Sequence, residues 1–225
     1  LEYRIIKPVM VFRDFSIQIG QFSKHDFGGN HNRLQYDLNT DIRFINNWTL
    51  DLGGGYRPVN YFNSTLRGGP RWRISKTGWQ YFFIGSDSRK EFYFRTGAII
   101  SQWKENESSL FKIEAELNYQ PSNALNISIA PEFSSRPNKT QYITQVSYND
   151  ETRYVLGTID NQTFQASLRV NYTLNPNLSI QYYGQPFVSR GVYKDIKYVT
   201  NPTATSLNDR FQLYSNDQLS LSQGV

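Results

Sequence analysis

The stretch that decides the fold reads Arg33-Leu34-Gln35-Tyr36-Asp37-Leu38-Asn39-Thr40-Asp41-Ile42-Arg43-Phe44. Its even-numbered positions are apolar apart from Thr40, whereas its odd-numbered positions all carry charged or amide side chains. Successive side chains of a β-strand point to opposite faces of the sheet. The stretch therefore predicts a strand with one apolar face and one charged face.

The same alternation recurs along the chain. The predicted strands are Met10–Gly20, Arg33–Ile45, Trp48–Arg57, Gly78–Ser86, Glu91–Trp103, Ser109–Gln120, Ala124–Ser134, Gln162–Leu174 and Leu178–Val188, with a further strand or two within Gly191–Tyr214. The connections between them alternate between short turns and long segments, and the short turns are Asn46-Asn47, Asp87–Lys90, Pro121–Asn123 and Asn175–Asn177. Strands joined by alternating short and long connections are typical of an all-β, antiparallel up-and-down transmembrane β-barrel.

One long connection, Ser135–Asn161, carries a pattern of its own. Tyr142–Tyr148 and Thr152–Ile159 flank Asn149-Asp150-Glu151, which predicts an extracellular hairpin at about residues 140–160. We assign residues 1–225 to a single outer-membrane barrel domain. Because the chain starts at Leu1 and lacks an apolar closing strand at its end, we expect it to be a fragment of about ten strands of a larger barrel.

The composition agrees with this fold. Mean hydropathy is -0.58 and no run of eighteen apolar residues occurs, which argues against a membrane-spanning helix. The chain has no cysteine, so it forms no disulfide. Its 24 Lys and Arg and 19 Asp and Glu are interspersed, so the net charge of +5 predicts no basic stripe and no nucleic-acid partner.

A soluble β-sandwich is the alternative fold, since its core would also exclude charge. Three features favour the barrel: strands longer than the usual 5–6 residues, the regular alternation of connections, and aromatic side chains near strand ends. Those aromatic residues are Phe44, Trp48, Tyr56, Trp79, Trp103, Tyr119, Phe133, Tyr172 and Tyr182. Pro131 and Pro186 are expected near the loop side of their strands, where pairing ends.

The barrel hypothesis assigns an environment to each face. The side chains predicted to face lipid are Leu38, Ile42, Ile113, Leu117, Ile127, Ile129, Leu168 and Val170. The charged side chains predicted to face the lumen are Asp41, Arg43, Lys112, Glu114, Glu116, Glu132 and Arg169.

Two groups of residues are candidates for chemistry. Glu114 and Glu116 share one face, about 5–7 Å apart, as in a glycosidase carboxylate pair. A charged lumen wall paired with Lys112 and Arg169 explains them as well, and we favour it. His25 and His31 lie near Asp26 in one connection, where a hydrophilic loop is favoured over a metal site. We therefore predict no catalytic residue, no metal site, no cofactor and no enzymatic activity.

Two further segments have a structural and a functional interpretation. Gly53-Gly54-Gly55 lies within a predicted strand, where it indicates a bend or a close backbone approach more than a ligand loop. Arg71, Trp72, Arg73 and Lys76 could contact anionic lipopolysaccharide. A solvated loop is the favoured interpretation of those four residues.

Three segments carry a resemblance to a known family. They are Leu66–Pro70, Gly85–Lys90 and Leu178–Phe187, the last continued by Gly191–Asp195. They resemble large outer-membrane proteins of Bacteroidota in which a family-9-type carbohydrate-binding domain precedes a C-terminal barrel domain of unknown function. The resemblance implies an outer-membrane location and places the carbohydrate-binding domain upstream of Leu1. It supplies no catalytic residues.

These observations lead to one expected function and two alternatives. We expect an outer-membrane β-barrel protein that acts as a membrane anchor or channel associated with glycan binding or uptake. The alternatives are a structural subunit of a larger outer-membrane assembly and a glycan hydrolase. The expected partners are outer-membrane lipid and lipopolysaccharide, glycans, and other outer-membrane proteins. The function rests on analogy of fold and family.

Overall fold

The computed structural model describes residues 1–215 and 218–219, and these residues form one antiparallel sheet of 13 strands. The strands are β1 Glu2–Ile5, β2 Phe12–His25, β3 His31–Phe44, β4 Thr49–Phe62, β5 Trp72–Arg73, β6 Thr77–Gly85, β7 Phe92–Trp103, β8 Ser109–Ser122, β9 Leu125–Tyr148, β10 Glu151–Asn175, β11 Leu178–Gly184, β12 Phe187–Val199 and β13 Phe211–Leu213. Two 3-10 helices, Lys104–Asn106 and Asn208–Arg210, lie in the connections. Among the described residues, no helix is both long and apolar enough to span a membrane.

The strands follow one another across the sheet. The order is β1-β2-β3-β4-β6-β7-β8-β9-β10-β12-β13, while β5 pairs with β4 and β11 pairs with β10. Because neighbours are antiparallel, the turns at Asn46-Asn47, Pro121–Asn123 and Asn175–Asn177 lie at one end of the sheet, called here the short-turn end. The predicted all-β antiparallel fold is confirmed. Over the described residues the sheet is open, with β1 at one edge and β11 to β13 at the other.

The strand boundaries at β11 and β12 differ from the predicted strand Leu178–Val188. These strands pair with successive halves of β10, so they form one long edge strand that is interrupted at Gln185-Pro186. Proline lacks the N–H that the ladder needs, although the carbonyl of Pro186 still accepts from the N–H of Ala166 at 3.1 Å. The expectation for Pro131 was wrong, because β9 continues to Tyr148. Only the pairing with β8 is interrupted opposite Pro131.

The strands β9 and β10 form the longest hairpin, with 24 and 25 residues. Its turn residues, Asn149 and Asp150, both have positive φ, at 50° and 62°. Such two-residue turns match the right-handed twist of the flanking strands. The segment Ser135–Asn161 is therefore continuous with the sheet strands, and bulges between Val155 and Ile159 bend the hairpin.

Three aromatic side chains of β6 lie flat against glycines on neighbouring strands. Trp79 is opposite Gly55, Tyr81 is opposite Gly53, and Phe83 is opposite Gly97. A Cβ atom at any of the three glycines would overlap the ring opposite it. The glycines thus permit a close approach of side chain to backbone. Trp79 lies near the start of β6, as predicted, and its ring contacts Gly55 and Arg57 within the sheet.

The apolar core is small and lies away from the short-turn end. Leu66, Trp72 and Leu156 are almost fully buried there, packed against Ile74, Tyr142, Tyr154, Val199 and Phe211. Segments between β4 and β6 and after β12 supply several of these residues. The core thus fastens connecting segments onto the sheet and positions the cavity described next.

Candidate functional site

The sheet has two chemically distinct faces. Side chains directly opposite each other on neighbouring strands share a face. The charged face carries the opposed pairs Asp14 and Arg43, Asp41 and Asp51, Arg95 and Glu116, Glu114 and Glu132, together with Lys112 and Arg169. The apolar face carries Ile19 and Leu38, Phe15 and Ile42, Ala98 and Ile113, Leu117 and Ile129, Ile127 and Val170, and Leu168.

The apolar face is largely uncovered. Leu38 is 51% exposed, Ile113 is 47% exposed and Ile129 is 43% exposed. Most exposed apolar residues in proteins stand singly, but here they form continuous cross-strand pairs. An apolar surface of this extent indicates contact with lipid or with another apolar surface.

The carboxylates of the charged face are held by specific partners. Lys112 Nζ lies 2.6 Å from Glu114 Oε2 and 2.9 Å from Glu132 Oε2. Glu116 instead accepts a hydrogen bond of 3.1 Å from Asn118 Nδ2. Arg169 forms no ion pair in the described part of the chain, and its guanidinium lies 5.0 Å from the ring centre of Tyr183. Glu114 and Glu116 therefore belong to two separate networks.

The two histidines meet at the end of the β2–β3 hairpin. Their rings stack with centroids 4.6 Å apart. The Asp26 carboxylate is used in the adjoining turn, where it accepts from the N–H groups of Asn30 and Gly28 at 2.9 and 3.0 Å. The backbone hydrogen bond from Asn30 is the main reason that the pKa of Asp26 is lowered. Across the described residues, no three metal-ligating side chains converge.

A cavity of about 240 Å³ lies beside the small core. Trp103, Arg136 and Ile159 line it from the strands, and Trp72 and Thr65 line it from the segment between β4 and β6. The amide side chains on its wall are Asn138, Gln141 and Asn161. The cavity thus combines aromatic surface with neutral donors and acceptors, as small-molecule sites do.

A buried ion pair adjoins this cavity. Glu107 also lines the cavity, and its Oε2 lies 3.3 Å from Arg210 Nη1, with both side chains almost fully buried. The same carboxylate accepts from the Ser75 N–H at 2.6 Å and from the Thr140 hydroxyl at 3.1 Å. The charge of Glu107 is therefore compensated within the protein, so a ligand would meet the amides of the wall and the guanidinium of Arg136.

The structure does not show a uniformly solvated loop at Arg71, Trp72, Arg73 and Lys76. Trp72 is only 1% exposed and belongs to the core. The guanidinium groups of Arg71 and Arg73 lie 3.9 and 5.7 Å from the ring centre of Tyr61. Lys76 remains exposed.

Sequence reasoning missed Glu107 and Arg210. They lie in connections without periodicity, 103 positions apart, so alternation carries no signal for their pairing.

Comparison with known proteins gives one result. The profile of a family described as a domain of unknown function, DUF5916, matches residues 1–221. No curated protein and no solved structure gives a significant match.

Proposed function

The chain belongs to the DUF5916 family of domains of unknown function, and we propose that it is an outer-membrane β-barrel domain serving as a membrane anchor or channel associated with glycan binding or uptake. One observation carries the membrane part of this proposal. The exposed apolar pairs lie on one face, and the charged pairs lie on the other. A charge on the lipid side of a barrel costs about 2–4 kcal/mol at the midplane, which accounts for their segregation.

The open edges support the barrel part. In lipid, every backbone N–H and C=O must find a partner within protein. The outer edges of β1 and β11 have no strand partner in the described part of the chain. In our proposal, further strands pair with these edges and close the sheet around the charged face.

The cavity beside Trp103 supports the glycan part. A sugar ring has an apolar C–H face and a rim of hydroxyl groups. An aromatic ring can cover the first. The side-chain NH2 groups of Asn138 and Asn161 can donate to the second, and the side-chain oxygen of Gln141 can accept from it. The proposal includes no catalysis, because Glu114 and Glu132 share Lys112 and Glu116 is bound by Asn118.

Membrane fractionation and glycan binding test the two parts separately. The protein is produced in a Gram-negative host, the outer membrane is isolated, and resistance to alkaline extraction is measured. Purified protein is then screened on a glycan array, with Trp103→Ala as the site variant and Trp48→Ala as a matched control. We expect membrane retention of all three proteins and loss of glycan signal in the Trp103 variant only. A freely extractable protein would contradict the barrel, and an equal signal in all three would contradict the cavity as the glycan site.

A further inference from the structure

We propose that a second cavity, at the short-turn end of the charged face, binds a phosphate-type oxyanion. This cavity has a volume of about 470 Å³. The arginines on its wall are Arg13, Arg43, Arg89 and Arg95, and the carboxylates on its wall are Asp87 and Glu116. The proposal is independent of the glycan cavity beside Trp103, with which it shares no lining residue.

The arginines come from different elements and converge on one space. Arg43 belongs to β3, Arg95 belongs to β7, Arg13 belongs to β2, and Arg89 lies in the turn between β6 and β7. Guanidinium groups are the preferred partners of phosphate oxygens because their planar N–H groups can bind two oxygens at once. Four such groups on one cavity therefore point to an oxyanion.

Two of these arginines keep most of their donors free. The Arg13 guanidinium donates to the amide oxygen of Asn47, and it forms no ion pair in the described part of the chain. Arg43 is 3.8 Å from the Asp14 carboxylate, beyond ordinary hydrogen-bond distance. Asp14 does not line the cavity. The N–H groups of Arg13 and Arg43 are thus available to a ligand.

The other two arginines are held in place by carboxylates. Arg89 Nη2 lies 2.8 Å and its Nε 3.0 Å from the two oxygens of Asp87. Arg95 Nη2 lies 2.9 Å from Asp51, which also does not line the cavity. These pairs orient guanidinium groups before a ligand arrives, which lowers the entropic cost of binding.

The segment Gly85–Arg89 forms one wall of the cavity. Ser86 and Ser88 line it beside Arg89, and the Ser86 hydroxyl is bound to the backbone of Phe94, accepting from the N–H at 2.9 Å and donating to the carbonyl at 3.4 Å. A Cβ atom at Gly85 would come within 2.6 Å of the Thr49 hydroxyl, so glycine allows this wall to lie close to β4. The Ser88 hydroxyl, next to the guanidinium groups, adds a donor suited to a tetrahedral oxyanion.

Charge favours an anion over a neutral ligand. The cavity wall carries four guanidinium groups against two carboxylates. The carboxylate of Asp87 is already bound by Arg89 on both oxygens, which keeps the pKa of Asp87 well below its usual range. A phosphate group therefore meets two guanidinium groups without a carboxylate hydrogen bond, while Asp87 is bound by Arg89 and Glu116 accepts a hydrogen bond from Asn118.

Calorimetric titration of the purified protein tests the proposal. The probes are inorganic phosphate, sulfate, glycerol 3-phosphate, and mixed micelles containing phosphatidylglycerol, with chloride as the reference salt. The site variant is Arg13→Gln with Arg43→Gln. The control variant is Arg4→Gln with Arg190→Gln, which removes the same formal charge from exposed positions outside the cavity.

We expect saturable binding of phosphate over chloride, weakened at least ~10-fold in the site variant and unchanged in the control. Binding of glycerol 3-phosphate in solution would identify soluble phosphoesters as the source, and binding of the micelles alone would identify a lipid headgroup. Absence of saturable binding for every phosphate probe would overturn the proposal. Equal weakening in the two variants would also overturn it, since general charge screening would then explain the signal.

Discussion

Arg210 and Glu107 form a completely enclosed ion pair, with 3.3 Å between Nη1 and Oε2 and side-chain exposures of 1% and 2%. The guanidinium also donates to the carbonyl groups of Ala204, Thr205 and Arg73. Burial lowers the pKa of Arg210, and Glu107 opposes that shift. The pair joins the connection after β7 to the segment after β12, so it fastens two connections together.

Removing only one partner of this ion pair should strongly destabilise the folded protein. In Arg210→Met, the Glu107 carboxylate stays buried without its cation, and we expect a loss of about 3–5 kcal/mol in the free energy of unfolding. Replacing both residues by apolar ones should recover much of the loss, because no unpaired charge then remains. Thermal unfolding of the single variant, the double variant and an Arg190→Met control measures this. An Arg210 variant as stable as the control would contradict it.

The glycine–aromatic contacts give a second expectation. In Gly53→Ala the new methyl group overlaps the ring of Tyr81, so we expect a loss of about 1–3 kcal/mol from overpacking. Gly78→Ala is the matched control on β6, since the nearest atom to its Cβ is 4.0 Å away. Denaturant unfolding compares the two, and Tyr81→Ala in the Gly53→Ala background should restore part of the loss. Equal stability of both glycine variants would be evidence against close packing.

The turn at Asp87 should stabilise the folded state by an amount that depends on pH. Hydrogen bonds from the Arg89 side chain are the main cause of its lowered pKa, so the folded state favours the ionised carboxylate. The unfolded state then binds more protons at low pH. The stabilisation is complete above the ordinary value of 3.8 and is lost as pH falls toward the lowered pKa.

The comparison that isolates this effect is the wild type against Asp87→Asn. We expect a constant gap in melting temperature above about pH 5 that narrows below it. A Ser88→Ala variant leaves the carboxylate intact, so its melting temperature should change with pH in the same way as that of the wild type. A difference in melting temperature between the wild type and Asp87→Asn that grows as pH falls would contradict this prediction.

The carboxylates of β8 should be dispensable for catalysis. We expect Glu114→Gln with Glu116→Gln to leave any hydrolytic activity of the full-length protein unchanged, because the two groups lie in separate networks. A true acid and nucleophile pair would lose orders of magnitude in rate when both carboxyl groups are removed. Turnover on a glycan panel, with thermal unfolding to verify folding, gives the answer. A large loss of rate in a folded variant would restore the hydrolase alternative.

The strand pattern and the connections differ in how far the sequence predicts them. The alternation in Arg33–Phe44 predicts β3 because the sheet itself repeats every two residues. The burial of Trp72 and the pairing of Glu107 with Arg210 depend on contacts between distant connections, for which no period exists. The approach of Trp79 to Gly55 needs the strand register, which alternation within one strand leaves open.

The central claim is that the apolar face meets lipid. Since the chain has no cysteine, single cysteines can be placed at Leu38, Ile113 and Ile129, and at Asp41 and Arg169 for the opposite face. Spin labels at these sites in lipid bilayers are then tested for collisions with oxygen, which partitions into lipid, and with a water-soluble nickel chelate. We predict oxygen access at the first three positions and nickel access at the other two. Low access of both reagents at Leu38, Ile113 and Ile129 would mean that they are packed inside protein, and it would contradict the membrane account.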